Sequence, residues 1–537
     1  MIIVGLILVP LAAGVIAMGW PSRVGRRGLL VMAALIHLAL TAVAWRHPQS
    51  AMLHGWLAID PLGLLFLTIV SVLFLASAIY AVGYLRGEER DQHFDLDEGL
   101  LFNNEPEAMF VACLLFFLAA MTLVTTCQHL GLLWVGVEAT TLASAPLIYF
   151  HRHHRSLEAT WKYLLICSVG IALALLGNFV LAVAASGAGG GGLELIAGDL
   201  RDHASELNPR WLKAAFLFFL VGYGTKMGLA PMHTWLPDAH SESPSLVSAL
   251  LSGALLNCAF LGILRVHQLC VAAGLAEFSQ GLLVTFGLFS MAIASVFIIR
   301  QVDFKRMLAY SSVEHMGILA LGVGLGGAGV FGAMLHAFNH SLTKAALFLV
   351  AGNILAAYRT KAIGDVRGIL NILPVTGLLW IAGFLSITGS PPFGTFLSEF
   401  TILKAALDQH QTVVAVLYLV FLSLIFIGMA NIIPRMAQGA SPSPQSNAPR
   451  HESKWDIVPP AALVTLVLIL GFYVPPAMNK MMSHAAEGFL IQGSNEVATS
   501  ITRQHDVQPP PARDAVFGWV AATQAKTTQE TESCPRH

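Results

Sequence analysis

Apolar runs of roughly 18–25 residues recur along the whole chain and are separated by short polar loops. A helical run of this length spans the roughly 30 Å of hydrocarbon in a bilayer, and a helix satisfies its own backbone hydrogen bonds there. The pattern predicts an all-α polytopic membrane protein with about fourteen transmembrane spans. The predicted spans lie at about 2–19, 29–45, 60–84, 108–126, 130–150, 160–185, 212–230, 245–268, 280–300, 306–327, 330–357, 372–408, 411–434 and 457–475.

Two of these spans, the seventh and the twelfth, are interrupted by proline. The seventh contains Lys226 and its continuation breaks at Pro231 and Pro237, while the twelfth breaks at the Gly-Ser-Pro-Pro sequence of residues 389–392. Spans 4–8 and 9–13 form two blocks of five, and the break falls in fourth place in each block. Interrupted spans at corresponding positions of two blocks indicate two inverted five-helix repeats with a site near the bilayer midplane.

This reading divides the chain into five parts. They are the first three helices with a polar loop (1–107), a first repeat of helices 4–8 (108–269), a second repeat of helices 9–13 (280–435), helix 14 (455–475) and a polar C-terminal tail (476–537). The tail contains no further span and includes three consecutive prolines, so we expect a flexible tail or a short surface helix.

Composition and charge agree with a membrane protein and constrain its orientation. The chain is 56% hydrophobic and only 11% charged, and its net charge of −1 gives no support for a nucleic-acid partner. The loops after odd-numbered spans hold about 16 Lys and Arg residues and those after even-numbered spans about 4, which by the positive-inside rule makes the odd loops cytoplasmic. We therefore expect a multi-pass protein of a bacterial or archaeal cell membrane with both termini outside the cytoplasm.

The chain gives no sequence sign of a cofactor or metal centre. Its six cysteines form no C-x-x-C pair and no zinc or iron–sulfur spacing, and no nucleotide-binding glycine loop follows a strand. We predict no cofactor, and no catalytic centre that would work in isolation.

Two opposite charges lie inside apolar spans in the first repeat. Glu138 is in the fifth span and Lys226 in the seventh, and charges at such depth are usually paired or functional. A pair that opens and closes would change the proton affinity of the lysine, as a proton relay requires. The alternative for Glu138 is a protonated structural carboxyl. Lys162, one turn into the sixth span, either reaches the cytoplasmic interface or acts as a modulating charge near the pair.

A second group of ionisable residues follows in the second repeat. His336, His340 and Lys344 are spaced four residues apart on one helix face, and His315 with Glu314 extends this polar set from the tenth span. The spacing of the two histidines permits a metal site, but no acidic or cysteine ligand accompanies them and the lysine repels a cation. A titratable, water-connected row is the preferred interpretation, and packing histidines are the alternative.

A hydrated axis along the midplane would connect these groups. It would run through Glu138, Lys226, His240, His315, His336, His340, Lys344 and Glu399, the last of which follows the break in the twelfth span. The alternative is a set of isolated buried polar residues, each satisfied locally.

Five motifs together resemble one family, the antiporter-like membrane subunits of respiratory complex I, Mrp-type cation/proton antiporters and membrane-bound [NiFe] hydrogenases. The motifs are GVEATT, KMGLAPMHTWLPDAHSESPS, DFKRMLAYSSVEHMG, NHSLTKAALF and SPPFGTFLSEF, and the resemblance covers about residues 60–435. It implies a fourteen-helix fold with a proton channel along the membrane midplane. By position it implies that Glu138 and Lys226 are the glutamate–lysine pair, Lys162 the helix 6 lysine, His315, His340 and Lys344 the central relay, and Glu399 the terminal residue.

One departure from the family pattern concerns the eighth span. Members of the complex I branch usually carry a lysine there, where this chain has Asn257, and an asparagine holds no charge at ambient pH. Within the family, the sequences around Glu138, Lys162 and Asn257 look most like the F subunit of hydrogenase-4-type complexes. This implies a proton-translocating subunit that works with other membrane subunits and peripheral redox subunits.

Three other functions remain open on the sequence alone. The chain could be an antiporter-like subunit of complex I, a subunit of an Mrp-type Na⁺/H⁺ antiporter, or a membrane scaffold whose channel no longer conducts. Asn257 is the best argument for the scaffold.

Overall fold

The computed structural model describes residues 2–47, 50–88, 93–94, 101–188, 193–439 and 452–490. Within these ranges the chain is almost entirely helical, with one pair of two-residue antiparallel strands, β1 (His93–Phe94) and β2 (Leu101–Phe102). Residues Met1–Phe489 form one compact unit. The predicted tail from residue 491 onward lies outside the described ranges.

Helices α1–α10 build the N-terminal part. Their bounds are α1 Ile2–Gly19, α2 Arg23–Arg46, α3 Pro61–Gly87, α4 Glu107–Thr126, α5 Leu130–Ile148, α6 His154–Ala185, α7 Ala197–Asp202, α8 Pro209–Met227, α9 Trp235–Glu242 and α10 Ser245–Leu250. Short 3₁₀ turns occur at Leu53–Gly55 and Ala204–Glu206.

Helices α11–α20 build the C-terminal part. Their bounds are α11 Leu256–Ala272, α12 Ala276–Ile298, α13 Phe304–Leu325, α14 Ala328–Tyr358, α15 Ile369–Ile372, α16 Pro374–Ile387, α17 Gly394–Asp408, α18 Thr412–Ala437, α19 Lys454–Phe472 and α20 Pro476–Glu487. A 3₁₀ turn occurs at Ile363–Asp365.

The membrane-protein prediction is confirmed, since 12 helices of the described chain are long and apolar enough to cross a bilayer. Neither interrupted span is among them. The seventh is divided into α8 and α9, and α8 is long enough but carries Arg210, Lys213 and Lys226, while the twelfth is divided into the shorter helices α16 and α17. The count of fourteen spans and the repeat symmetry stay predictions.

The core lies around the eighth and tenth predicted spans. The most apolar stretches of Ser245–Ala272 and of α13 are 100% buried, compared with 28% for α18 and 33% for α1. A helix that is apolar on all sides and fully enclosed is a central element, whereas the outer helices expose apolar side chains as lipid-facing helices do. The ionisable groups of the second repeat therefore lie in the most enclosed part of the molecule.

Both breaks follow a glycine with a left-handed backbone, which ends the preceding helix. Gly228 (φ 85°) caps α8 directly after Met227, and Gly389 (φ 60°) comes two residues after α16. Because a side chain is strained in this backbone region, glycine is the natural residue at such a stop. The prolines that follow prevent the helix from restarting at once, so the last turn of α8 presents Lys226 at the break.

Two features of the fold have no signal in the hydropathy pattern. The eighth predicted span contains a π-helical turn at Leu251–Leu255 between α10 and α11, and no proline or glycine pair marks it. The tail begins with α20, whose Met478, Met481 and Met482 are buried against the protein body. The first residues of the predicted tail are therefore a packed helix.

Candidate functional site: two clusters of buried ionisable groups

Lys226 lies at the centre of the first cluster and is fully buried. Its Nζ donates to Thr141 Oγ1 at 2.9 Å and to Tyr163 OH at 2.5 Å, and it lies 4.4 Å from the centre of the Tyr163 ring. α8 provides the lysine, α5 the threonine and α6 the tyrosine. The ammonium group is thus solvated by two hydroxyls and an aromatic face, with no carboxylate in direct contact among the described residues.

Glu138 is half-buried on α5 and forms no direct ion pair with Lys226 among the described residues. Its Oε2 accepts from Thr141 Oγ1 at 3.3 Å, and its Oε1 accepts from Ser168 Oγ at 3.4 Å. Residues 138 and 141 are one helical turn apart, so the threonine hydroxyl lies between the carboxylate and the lysine. In this structure the predicted pair is connected through Thr141, and its opening and closing stay a prediction.

The hydroxyl of Tyr163 continues the network away from Glu138. Ser144 Oγ donates to Thr140 O at 2.7 Å, so it accepts the proton of Tyr163 OH at 2.6 Å. The tyrosine oxygen is then free to accept from Lys226. Each hydroxyl around the lysine therefore has a defined donor and acceptor role.

Lys162 points away from this cluster and pairs with other carboxylates. Its Nζ lies 2.7 Å from Glu158 Oε1 and 2.9 Å from Asp238 Oδ2, and its side chain is 45% exposed. The other oxygen of Asp238 binds Arg306 Nη2 at 2.8 Å. Lys162 thus belongs to an ion-pair network in which Asp238 of α9 joins α6 to α13. Within the described residues no hydrogen bond connects Lys162 to Glu138 or Lys226.

His240 lies on α9 between the two clusters. Its Nδ1 donates to Leu236 O at 2.9 Å, while Nε2 is buried without a partner among the described residues. Rings of Trp235 and Phe348 flank it, with centroids 6.3 and 5.5 Å away. The histidine is therefore held by its backbone contact, with one nitrogen available.

The second cluster contains a directional chain of histidines. Ser398 Oγ donates to Thr395 O at 2.8 Å and so accepts Nδ1–H of His336 at 2.9 Å. His336 Nε2 is then unprotonated and accepts Nδ1–H of His315 at 2.9 Å. The remaining nitrogen, His315 Nε2, lies 4.0 Å from Glu314 Oε2. These assignments fix the tautomer of both neutral rings.

His340 and Glu399 complete the cluster and are loosely held. The His340 ring is 4.8 Å from that of His315, and both of its nitrogens are without a partner in the described chain. Glu399 is 6% exposed and its Oε1 is also without a partner there. A Cβ at Gly389 would come 1.9 Å from Glu399 Oε2, so the carboxylate packs directly on the backbone of the break.

Lys344 lies on α14, as His336 and His340 do, but it forms separate hydrogen bonds. Its Nζ donates to Leu308 O at 2.6 Å and to Ser311 Oγ. Asn257, the departure in the eighth span, donates to Ser341 Oγ at 2.7 Å and has an unpartnered Oδ1 among the described residues. Across the part of the chain that the structure describes, no continuous series of hydrogen bonds connects the two clusters.

Three groups of the second cluster converge closely enough to raise the question of a metal ion. Ligand atoms of His315, His336 and Glu399 lie within 4.8 Å of one another. The facing nitrogens of the two histidines, however, are 2.9 Å apart with a hydrogen bond between them. This is the geometry of two bases that share a proton.

Sequence reasoning missed the hydroxyl groups that bind the charged side chains. Thr141 is one of two consecutive threonines, and Tyr163 and Ser398 lie in apolar helices without any pattern that marks them. It also passed over His37, buried on α2, whose two nitrogens bond to Thr122 Oγ1 at 2.8 Å and Ser71 Oγ at 3.0 Å. For these groups the only signal in the sequence is the three-residue spacing of Glu138 and Thr141, which places both on one helix face.

Known proteins place this architecture in one family. A family model described as NADH:quinone oxidoreductase/Mrp antiporter, TM matches residues 127–426. A hydrogenase-4 component F homolog of Methylacidiphilum infernorum is 34% identical over 430 residues, 80% of this chain and 87% of that protein. An NADH-quinone oxidoreductase subunit N of Desulforudis audaxviator is 29% identical over 83% of this chain and 89% of its own length.

The fold has close counterparts among solved structures. A chain of the membrane-bound sulfane sulfur reductase, an archaeal respiratory membrane complex, has a TM-score of 0.79 at 21% identity over 92% of this chain and 98% of that one. At this identity the likeness concerns the fold alone. Together with the family match, it confirms the resemblance found in the sequence motifs. The chain belongs to the NADH:quinone oxidoreductase/Mrp antiporter family and is an antiporter-like membrane subunit of the kind found in complex I, Mrp and hydrogenase-type complexes.

Proposed function

We propose that this chain is a proton-translocating membrane-arm subunit of a respiratory-type oxidoreductase of the hydrogenase-4 kind. The observation that carries the proposal is Lys226, a fully buried ammonium whose hydrogen-bond partners in the described chain are two hydroxyls. Without a carboxylate in contact, a buried lysine releases and regains a proton readily. The 34% identity to a hydrogenase-4 component F homolog supports this branch of the family.

The first step concerns the Glu138–Lys226 cluster. Electron transfer in partner subunits would shift the carboxylate relative to the ammonium and so change the proton affinity of the lysine. The proton would then pass toward the second cluster by way of His240 and Lys344. Buried polar atoms without a protein partner are places where ordered water completes a path, and His240 Nε2 is one of them.

The second step concerns the histidine chain and Glu399. A proton taken up at His315 Nε2 allows its Nδ1 to release one to His336 Nε2, and His336 Nδ1 to release one toward Ser398. The Glu314 carboxyl, 4.0 Å from His315 Nε2, is placed to supply this proton. Glu399 would receive the proton at the end of the path, with His340 as a further titratable group beside it.

The repeats and the orientation are part of the same proposal. The breaks after Met227 and Ile387 support inverted repeats at 108–269 and 280–435, and the Lys and Arg bias supports both termini outside the cytoplasm. The chain supplies no redox centre in this scheme. Other membrane subunits and peripheral redox subunits of the assembly would perform the electron transfer.

The test replaces Lys226 with alanine in the assembled complex. Native membrane vesicles would be energised with hydrogen, formate or NADH, and acidification followed with a pH-sensitive dye alongside electron transfer. We expect Lys226→Ala to abolish proton movement. Lys213→Ala is the matched control, because Lys213 lies on the same helix but is exposed. Full pumping by Lys226→Ala at an unchanged electron-transfer rate would falsify the proposal.

The same vesicles distinguish the alternative functions. Proton flux that depends on sodium and needs no electron donor would identify an Mrp-type antiporter subunit. Unchanged pumping in both Glu138→Gln and Lys226→Ala, with loss of assembly when the whole chain is deleted, would identify a scaffold. Redox subunits that co-purify with the chain would separate the hydrogenase branch from complex I.

A further inference from the structure

We infer that Thr141 is a relay residue, whose hydroxyl carries the proton between Lys226 and Glu138. The inference rests on the proposed function and adds to its first step a proton transfer within the Glu138–Lys226 cluster. Thr141 Oγ1 accepts from Lys226 Nζ at 2.9 Å and donates to Glu138 Oε2 at 3.3 Å. Since the two charged groups form no direct ion pair, this hydroxyl is the shortest protein route between them.

The step balances with a hydroxyl in the middle. A Lys226 N–H bond breaks as an O–H bond forms on Thr141, and the original O–H proton of Thr141 passes to the Glu138 carboxylate. The lysine becomes a neutral amine, the glutamate a carboxylic acid, and the threonine remains a hydroxyl. The reverse transfer restores both charges.

The position of Thr141 also permits the route to be switched. Its Oγ1 lies 3.5 Å from Val137 O as well as 3.3 Å from Glu138 Oε2. Rotation of the hydroxyl proton from the carboxylate to the carbonyl leaves the lysine bond in place and disconnects Glu138. A small shift of the Glu138 side chain, half-buried on α5, therefore suffices to open or close the route.

The neighbouring hydroxyls do not serve this purpose. Thr140 Oγ1 donates to Val137 O at 2.6 Å and contacts neither charge. Tyr163 OH binds Lys226 but passes its own proton to Ser144, away from Glu138. Thr141 is thus the hydroxyl that contacts both charged groups within the described residues.

The experiment compares four variants in the assembled complex. Thr141→Val removes the hydroxyl at nearly constant volume, Thr141→Ser keeps it, Thr141→Ala leaves space that a water molecule can fill, and Thr140→Val is the matched control. We expect proton movement per electron transferred to fall about tenfold or more in Thr141→Val, the size of one lost charge-assisted hydrogen bond. Thr141→Ser and Thr140→Val should pump like the parent chain, and Thr141→Ala should be intermediate.

The outcome separates this inference from the proposed function. Full pumping by Thr141→Val, with none by Lys226→Ala, overturns the relay role of Thr141 and leaves the function of Lys226 intact. Full pumping by both overturns both. If Thr141→Val fails to assemble, the serine and alanine variants decide: equal loss in these two means that the hydroxyl carries no proton, whereas retention by serine alone supports the inference.

Discussion

Two carboxylates of this protein, the half-buried Asp60 and the buried Glu399, have different surroundings. Asp60, before α3, is locked to Arg265 on α11: Oδ1 and Oδ2 accept from the guanidinium at 2.5 and 2.6 Å, and Oδ1 also accepts from Gln128 Nε2 and Gly63 N at 3.1 Å. Glu399, in contrast, has one carboxylate oxygen without any partner among the described residues.

This difference separates structural charges from mobile ones. Burial opposes ionisation of Asp60, but the Arg265 charge and the hydrogen bonds outweigh it and hold the pKa of Asp60 below its usual range. Such a carboxylate keeps its charge and exchanges no proton near neutral pH. Groups with free lone pairs, such as Glu399 and His340, can accept a proton without breaking a salt bridge. If the chain translocates protons as proposed, we expect the loosely held buried groups to be the functional ones.

The largest expected effect comes from neutralising a loosely held group. Glu399→Gln keeps the shape of the side chain but cannot take up a proton, so we expect it to abolish proton movement while the complex assembles normally. The measurement is vesicle acidification at matched electron-transfer rates. Asp408→Asn, at the exposed end of the same helix, should pump normally. Normal pumping by Glu399→Gln would contradict a terminal role for this carboxylate.

The next effect comes from breaking the locked pair. Asp60→Asn leaves the Arg265 guanidinium, 4% exposed, without its counter-charge, and breaking such a pair costs about 3 kcal/mol. We expect less assembled complex and a lower unfolding temperature, with unchanged proton movement for each complex that does assemble. A loss of pumping at normal stability would mean that Asp60 takes part in proton movement.

The same pair predicts a dependence of stability on pH. A carboxyl whose folded pKa is lowered stabilises the fold above its unfolded pKa, about 3.9, and this contribution disappears as the pH falls through the folded value. The parent chain should therefore lose stability in this acidic range. Asp60→Asn should lack that part of the pH dependence, which thermal unfolding at several acidic pH values would measure.

The comparison also explains how much the sequence could predict. Hydropathy places the long helices of the described chain to within about six residues, because a run of apolar side chains is a local property. Charges inside such runs identify Glu138, Lys226 and Glu399 as groups that need an explanation. Their partners depend on which helix faces meet across the bundle, and one sequence carries no record of that.

The first cluster is the clearest example of this limit. Opposite charges in the fifth and seventh spans predict a pair that opens and closes, but they give no sign that Thr141 lies between the two groups. The π-helical turn at Leu251–Leu255, between α10 and α11, likewise has no mark in the hydropathy pattern. The depth of Lys162 leaves two alternatives open, and its contacts with Glu158 on the same helix and with Asp238, 76 residues later in the chain, show its orientation.

The smallest effect is expected at Lys162. Like Asp60 it has ion-pair partners, but its side chain is exposed to solvent. It pairs with Glu158 and Asp238 but is 45% exposed, and exposed ion pairs contribute about 0–1 kcal/mol. Because Arg306 still compensates Asp238, Lys162→Ala should reduce proton movement less than about twofold. Lys404→Ala removes a similarly exposed pair with Asp408 and should have no effect. A larger loss in Lys162→Ala alone, at normal assembly, would mean that this lysine acts on Lys226 through Asp238 and α9, and would place it with the mobile charges.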